Sequence, residues 1–494
     1  MTAEAPLRLD PNDRVVSPRE MVGFLAMVFG MFMAILDIQI VASSIAQIQA
    51  GISASADEVS WVQTAYLIAE VVMIPLSGWV ARVVSIRLLF FVSCVTFTLA
   101  SALCAASWSI ESMIVFRAVQ GFLGGAMIPT VFSTAFLLFP PRKQASVAIV
   151  IGLVATMAPT IGPTLGGWLT EAMSWHWLFL VNVLPGTIVA VVVLTCARPE
   201  RPRLDMLKGF DLAGIVLVAV FLGSLQFVLE EGPGDDWFDE PRIVLFSAIC
   251  AIAAVAFVWR ELTVKNPVID LWAFADRNFA VGCLYSFIIG VGLYGSVYVI
   301  PLYLGRVRGY SALEIGITMM VVGLFQLLSA PLAGRLAGKV DLRLMLAAGL
   351  ALFGAGLWLN SALTSEWGYW ELFLPQAVRG LSLMFCFVPI NTVALGHLPP
   401  DEVQNASGLY NLMRNLGGAI GLAAITTLLG TRTDLHYARL SEALTWDNLE
   451  AVLRFDSLAA RFDTLIPGDP QQAALKMLAQ LTKREAMTMA YGDV

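Results

Sequence analysis

The chain is 494 residues long, 58% hydrophobic and only 14% charged, with a mean hydropathy of +0.77. A soluble globular protein carries about 25% charged residues, so a water-soluble fold is excluded, and a net charge of −7 argues against nucleic acid as a partner. Apolar stretches long enough to cross a bilayer of about 30 Å recur along the whole sequence, which reads as an all-α polytopic membrane protein.

The first twenty residues, MTAEAPLRLDPNDRVVSPRE, are polar and contain prolines. They lack the short apolar core and small-residue site of a cleaved signal and read as a cytoplasmic tail, 1–20. Spans are expected near 21–46, 59–81, 87–107, 110–138, 145–172, 175–197, 211–230, 241–260, 279–303, 312–334, 341–362, 369–395 and 404–430, thirteen in all. Ser55 and Glu58 have capping-box spacing ahead of the second span. With the N-terminus inside, the short inner loops carry Arg82, Arg87, Arg142, Lys143, Arg198, Arg201, Arg203, Lys208, Arg260, Lys265, Arg277, Arg335, Lys339 and Arg343. The outer loops near 47–58, 231–240 and 363–368 carry no Lys or Arg, which follows the positive-inside rule; Arg306 and Arg308 are the outer exception.

Taken in chain order, the first polar residue inside a span is Asp37, in FMAILDIQIVASS. Charges in a bilayer are costly and mark functional interiors. Glu70 follows in the second span, about 15 Å from its start at a rise of 1.5 Å per residue. Arg117 enters the fourth span from outside at a depth similar to Asp37. An Asp37–Arg117 pair suits reversible protonation, and equally suits a permanent salt bridge between two helices. Glu70 reads as a proton site or cation-binding site, or as a hydrogen-bonded structural acid.

In the fifth span, ATMAPTIGPTLGG (155–167) places helix breakers in mid-membrane. Gly152, Ala155, Pro159, Gly162 and Gly166 recur at spacings of three and four, which predicts a small-residue stripe allowing close helix approach. The kinks expected at Pro159 and Pro163 suit a sliding seam between two halves, or a static close-packed bend. His176 sits at the mouth of the sixth span and reads as interfacial. Further on, Arg379, Asn391, Asn411, Arg414 and Asn415 are polar groups within the later spans, for substrate or for bonds between helices.

The chain repeats itself. PLSGWVARVVSIRLLF (75–90) matches PLAGRLAGKVDLRLML (331–346), RAVQG (117–121) matches QAVRG (376–380), and QASVAI at Gln144 matches NASGLY at Asn405. The offsets are nearly equal and the paired spans run in the same direction, as in a parallel repeat that places a substrate site between its halves. The expected organisation is a six-helix half over 21–197, a linker with two extra spans over 198–275, a second half of five spans over 276–430, and an extracytoplasmic segment over 431–494.

Six cysteines lie in apolar segments with no C-x-x-C and read as small apolar side chains, so no metal site is expected. No phosphate-binding loop, zinc-protease motif or nucleophile elbow occurs. An enzyme and a bound cofactor are not expected, and an ion gradient is the remaining energy source.

These segments together resemble the major facilitator superfamily and, within it, the fourteen-helix drug:proton antiporters of the EmrB/QacA type. LDIQIV (36–41) is similar to that family's first-span motif, RAVQGFLGGAMIP (117–129) to its fourth-span motif, and APTIGPTLGG (158–167) to its fifth-span antiporter motif; WHWLFLVNVLPG (175–186) and FVPINTVALG (387–396) also occur in the subgroup. The resemblance implies a major facilitator fold of two six-helix halves with two extra linker helices. It further implies proton coupling through Asp37 and Arg117 with Glu70, an antiporter motif in Pro159, Gly162, Pro163, Gly166 and Gly167, and substrate contacts among Gln39, Glu70, Arg379, Asn391, Asn411 and Arg414. The expected activity is proton-driven efflux of hydrophobic or cationic drugs and toxic compounds across the bacterial inner membrane, with no cofactor beyond the proton gradient. Its partners would be small hydrophobic or amphipathic substrates and the bilayer; a periplasmic adaptor and outer-membrane channel are permitted.

There are departures. The loop after the second span carries Arg82 where the family has an acid and Ser85 where a glycine is usual, and Gln39 and Ala42 replace a usual Thr and Asn. The family continues past AMTMAYGDV into a final helix. A narrow-substrate permease or symporter and an inactive truncated remnant are the alternative readings.

Overall fold

The computed structural model describes residues 16–198, 202–203, 211–265, 267–399, 402–463 and 469–494. The tail before residue 16, and the linker positions Arg201 and Lys208, lie outside the described residues. The described chain is helical: α1 (Pro18–Ala42), α2 (Ile45–Ile52), α3 (Ala56–Val84), α4 (Ile86–Ala105), α5 (Ile110–Leu138), α6 (Pro141–Ala172), α7 (Trp177–Leu180), α8 (Val183–Cys196), α9 (Leu212–Glu231), α10 (Pro241–Thr263), α11 (Arg277–Arg306), α12 (Ala312–Ala337), α13 (Leu342–Leu359), α14 (Tyr369–Leu395), α15 (Val403–Glu442), α16 (Leu449–Asp463) and α17 (Pro470–Asp493). Thirteen stretches among the described residues are long and apolar enough to cross a membrane, with α7 and α8 sharing one.

Helix starts follow local chemistry. Ser17 and Glu20 close a capping box on α1, with the Glu20 amide donating to Ser17 Oγ at 3.2 Å and the Ser17 amide donating to Glu20 at 3.0 Å. The expected box at Ser55 and Glu58 opens α3, with the matching bonds at 2.9 and 3.2 Å. Each satisfies amides that a helix start otherwise leaves open. Ser85 divides α3 from α4 at φ 89°. That region favours glycine, so the serine found there in place of a glycine sits under strain; its Oγ accepts from the Leu88 amide at 3.3 Å and caps α4.

Most span ends shift from the sequence expectation by one to four residues, and three of the differences have a local cause. The first ends at Ala42 rather than 46, because Ser43 Oγ bonds back to the Ile40 carbonyl at 2.8 Å and the chain turns before α2. The sixth is broken at Val181–Asn182 into α7 and α8. The thirteenth runs on to Glu442, well past 430. Nothing after 430 breaks a helix, and its polar extension docks on α17: His436 Nε2 lies 2.8 Å from Asp493.

The first half comprises α1 and α3–α8, and the second half includes α11–α15. They meet along two seams. At one, α6 packs on α12, with Gln326 of α12 hydrogen-bonded to Thr156 of α6. At the other, α3 packs on α15, where a Cβ placed on Gly78 would lie 2.9 Å from Asn405 Cα. The internal repeat relates α3 to α12 and α6 to α15, so it exchanges the two seams.

Candidate functional site

Asp37 lies on α1 with 0% exposure, and three residues converge on its carboxylate. Arg117 Nη1 of α5 donates to Oδ2 at 2.5 Å. Gln120, one turn along the same helix, donates to Oδ1 at 3.1 Å and accepts from Arg117 at 2.8 Å. Asn182 donates to Oδ1 at 2.7 Å and to Ser101 Oγ at 3.2 Å. Asn182 reaches Asp37 because it stands at the break between α7 and α8. Arg117 is fully buried too; its Nε donates to the Val62 carbonyl at 3.1 Å and its guanidinium lies 4.2 Å from the Tyr66 ring centre. Burying two charges costs several kcal/mol unless geometry and additional hydrogen bonds compensate. Here they do so on every side except Nη2 of Arg117, which is buried without a partner. Sequence reasoning singled out the two charges and missed Gln120 and Asn182. Gln120 was legible as the i+3 neighbour of Arg117; Asn182 carried no local signal.

Glu70 is 3% exposed on α3, one turn beyond Tyr66. It makes no hydrogen bond to a described residue, and Arg117 and Asp37 are its charged neighbours. The structure therefore gathers Asp37, Glu70 and Arg117 into one buried region of the first half.

A cavity of about 490 Å³ lies between the halves. It runs from the middle of the bundle to the end where α1 terminates, the outer end in the charge-derived topology. Gln39, Asn411 and Arg414 line it, as do Pro159 and Pro163. Arg414 Nη2 donates to the Tyr410 hydroxyl at 2.7 Å, and the guanidinium sits 4.8 Å from the Phe387 ring and 5.5 Å from that of Phe132. No carboxylate pairs with it among the described residues, and its Nε is buried without a partner. Beyond Arg414 the opposite end of the bundle is packed, with Phe132 and Tyr410 rings 6.0 Å apart and Gly78 against Gln404 and Asn405.

Other candidates lie elsewhere. Arg379 is 2% exposed on α14, its backbone under Gly356 of α13, and it does not line this cavity. Asn391 borders a separate small pocket with Phe132 and Gln144, and both its amide atoms lack partners. Glu70 is also behind the cavity wall. His176 is exposed and stacked on Trp175 at 3.8 Å, as an interfacial residue would be.

The helix breakers of α6 do not stop the helix. A Cβ on Gly162 would collide with Gln39 of α1, and one on Gly166 would lie 2.7 Å from the Ile40 carbonyl. Gly167 instead meets Ala312 of α12, and Gly152 meets Met384 of α14. The glycines of the predicted stripe thus serve two neighbours, α1 at Gly162 and Gly166 and α14 at Gly152, while Gly167, outside the stripe, faces α12.

The sequence profile of the Major Facilitator Superfamily matches residues 27–422. The chain belongs to the major facilitator superfamily. It is 42% identical over 471 residues to "Colistin resistance protein EmrB" of Acinetobacter baumannii, covering 95% of this chain and 92% of that one. It is 30% identical over 472 residues to "Multidrug export protein EmrB" of Escherichia coli, covering 95% and 91%. Among solved structures, the proton:xylose symporter XylE superposes with a TM-score of 0.58 at 12% identity, over 97% of this chain and 95% of that one. The last likeness concerns the fold alone. As a superfamily member the chain is a multi-pass transporter of the membrane, built on the two-halved all-helical architecture described above.

Proposed function

We propose that the protein exports hydrophobic and amphipathic compounds, drugs among them, across the bacterial inner membrane in exchange for protons, with its N-terminus in the cytoplasm. The carrying observation is the two-faced character of α1. Ile35 and Gln39 line the cavity, while Asp37 is turned about 200° away at 100° per residue and is held by the first half. Proton entry at Asp37 removes the charge that Arg117 neutralises and leaves a buried guanidinium unpaired, so the packing of α1 must change. Gly162 and Gly166 give α1 a smooth surface along which to move, and the cavity wall moves with it. Glu70, beside the pair, is the second proton-coupling group. Gln39, Asn411 and Arg414 meet the substrate in this state. Arg379 and Asn391 act when the inner half opens.

The names of the relatives, multidrug export and colistin resistance, support an exporter with several hydrophobic substrates. The proton gradient suffices as energy, with no cofactor. In a two-membrane envelope the outer mouth of the cavity would hand its load to a periplasmic adaptor and outer-membrane channel.

The test is efflux of a lipophilic dye in energised everted vesicles. Asp37→Asn should lower proton-coupled efflux at least about tenfold, since it removes one partner of a buried pair, with membrane abundance unchanged. Unaltered proton-coupled efflux in both Asp37→Asn and Glu70→Gln would overturn the mechanism.

A further inference from the structure

Of the two helices between the halves, α9 enters the cavity wall. On one side α9 packs against α3: the Phe227 ring stacks on Trp61 at 5.7 Å, and Thr64 Oγ1 donates to Glu231 at 2.8 Å. On the other side, Trp237 in the turn after α9 donates through Nε1 to Thr427 of α15 at 2.8 Å. The outer end of α9 therefore lies over the seam between the two halves. There it supplies Glu230 to the lining of the central cavity, together with Gln63 of α3. The Thr64–Glu231 bond pins the two helices next to this part of the lining.

Both groups offer acceptors without donors. Glu230 has no hydrogen-bond or ion-pair partner among the described residues, and Oε1 of Gln63 is buried and unpartnered. Glu230 is the carboxylate of the cavity lining, and Arg414, deeper in, is its cation. Arg242, at the start of α10, is occupied by Asp235 at 3.7 Å and Glu240 at 2.9 Å.

We propose that α9 builds a cation-accepting subsite at the outer end of the cavity, in which Glu230 and Gln63 receive the positively charged, N–H-bearing head of an amphipathic substrate. The proposal rests on the exporter reading and deepens it. Repulsion from Arg414 keeps such a head away from the inner part of the cavity, and attraction to Glu230 draws it outward. The apolar body lies along Tyr298 and Leu302, which line the same outer region. The extra helices then select among substrates as well as linking the halves.

Equilibrium binding to the purified full chain in lipid nanodiscs tests this, with ethidium as the cationic probe and Nile red as a neutral one. Glu230→Gln should weaken ethidium about tenfold, the loss of one charge-assisted contact, and leave Nile red unchanged. Glu230→Asp should restore ethidium, and Asp239→Asn, on the exposed turn, should change neither. Equal weakening of both dyes, no weakening of ethidium, or an Asp239→Asn effect matching Glu230→Gln would each overturn the proposal. Dye efflux by the wild type, measured separately in vesicles, addresses the exporter reading: absent efflux with Glu230-dependent ethidium binding intact would sink that reading and leave the subsite standing.

Discussion

Asn182 shows how much of the buried charge site depends on residues that carry no charge. Its amide supplies a hydrogen bond to Asp37 at 2.7 Å from a helix break in the sixth span. A hydrogen bond to a charged group contributes about 1.5–3 kcal/mol, so Asn182→Ala should reduce dye efflux about tenfold or more in vesicles at unchanged membrane abundance; efflux at the wild-type rate would show that Asp37 does not need it. Asp37 and Arg117 were legible because a charge in an apolar run stands out against its neighbours. Their depths, counted along two helices, already suggested a pair. Asn182 was not legible, since a single asparagine in WHWLFLVNVLPG could face any neighbour and only the tertiary fold brings it to α1. Glu230 was hidden for another reason: it ends a span whose polar residues otherwise belong to a solvated acidic loop.

At the scale of elements, α6 is the clearest case of a helix shaped by what it must approach. Position 162 has room for a hydrogen atom facing Gln39 and position 166 for one facing Ser43 and Ile40. Gly162→Leu should force α1 away from α6 and abolish dye efflux, with normal insertion and expression on a membrane blot; normal efflux in this variant would remove α6 from the transport cycle. The periodicity of small residues announced a close approach, and the structure divides it between α1 and α14 rather than giving it to one neighbour. Span existence was legible throughout because apolar length is enough to indicate it. Span ends were less so, because they depend on side-chain bonds such as Ser43 to Ile40 and on docking such as that of α15 with α17. The repeat was legible in three short matches; which helices form the seams, α3 with α15 and α6 with α12, came only from the structure.

For the whole molecule, the cavity reaches one end of the bundle while the other is packed, an arrangement that faces outward in the charge-derived topology. Labelling with a membrane-impermeant maleimide checks both statements at once. In a background lacking the six native cysteines, Tyr298→Cys should react with reagent added from the outer side. Asn405→Cys, at a position only 4% exposed, should resist reagent from the inner side until transport is energised. Reaction of Tyr298→Cys only from the opposite side would reverse the orientation, and ready reaction of Asn405→Cys at rest would reject the packed inner end.

The 40-residue length of α15 has a mechanical meaning. At 1.5 Å per residue the helix is about 60 Å long, roughly twice the thickness of a bilayer's hydrocarbon core. Its first part belongs to the inter-half seam, and its far part stands in water against α17. A rigid rod so placed is a lever whose fulcrum lies in the membrane. For each ten degrees or so by which the seam tilted it, the outer arm of about 30 Å would sweep roughly 5 Å, carrying the docked α17 with it. A tilt inside the membrane would thereby be delivered to a surface outside it.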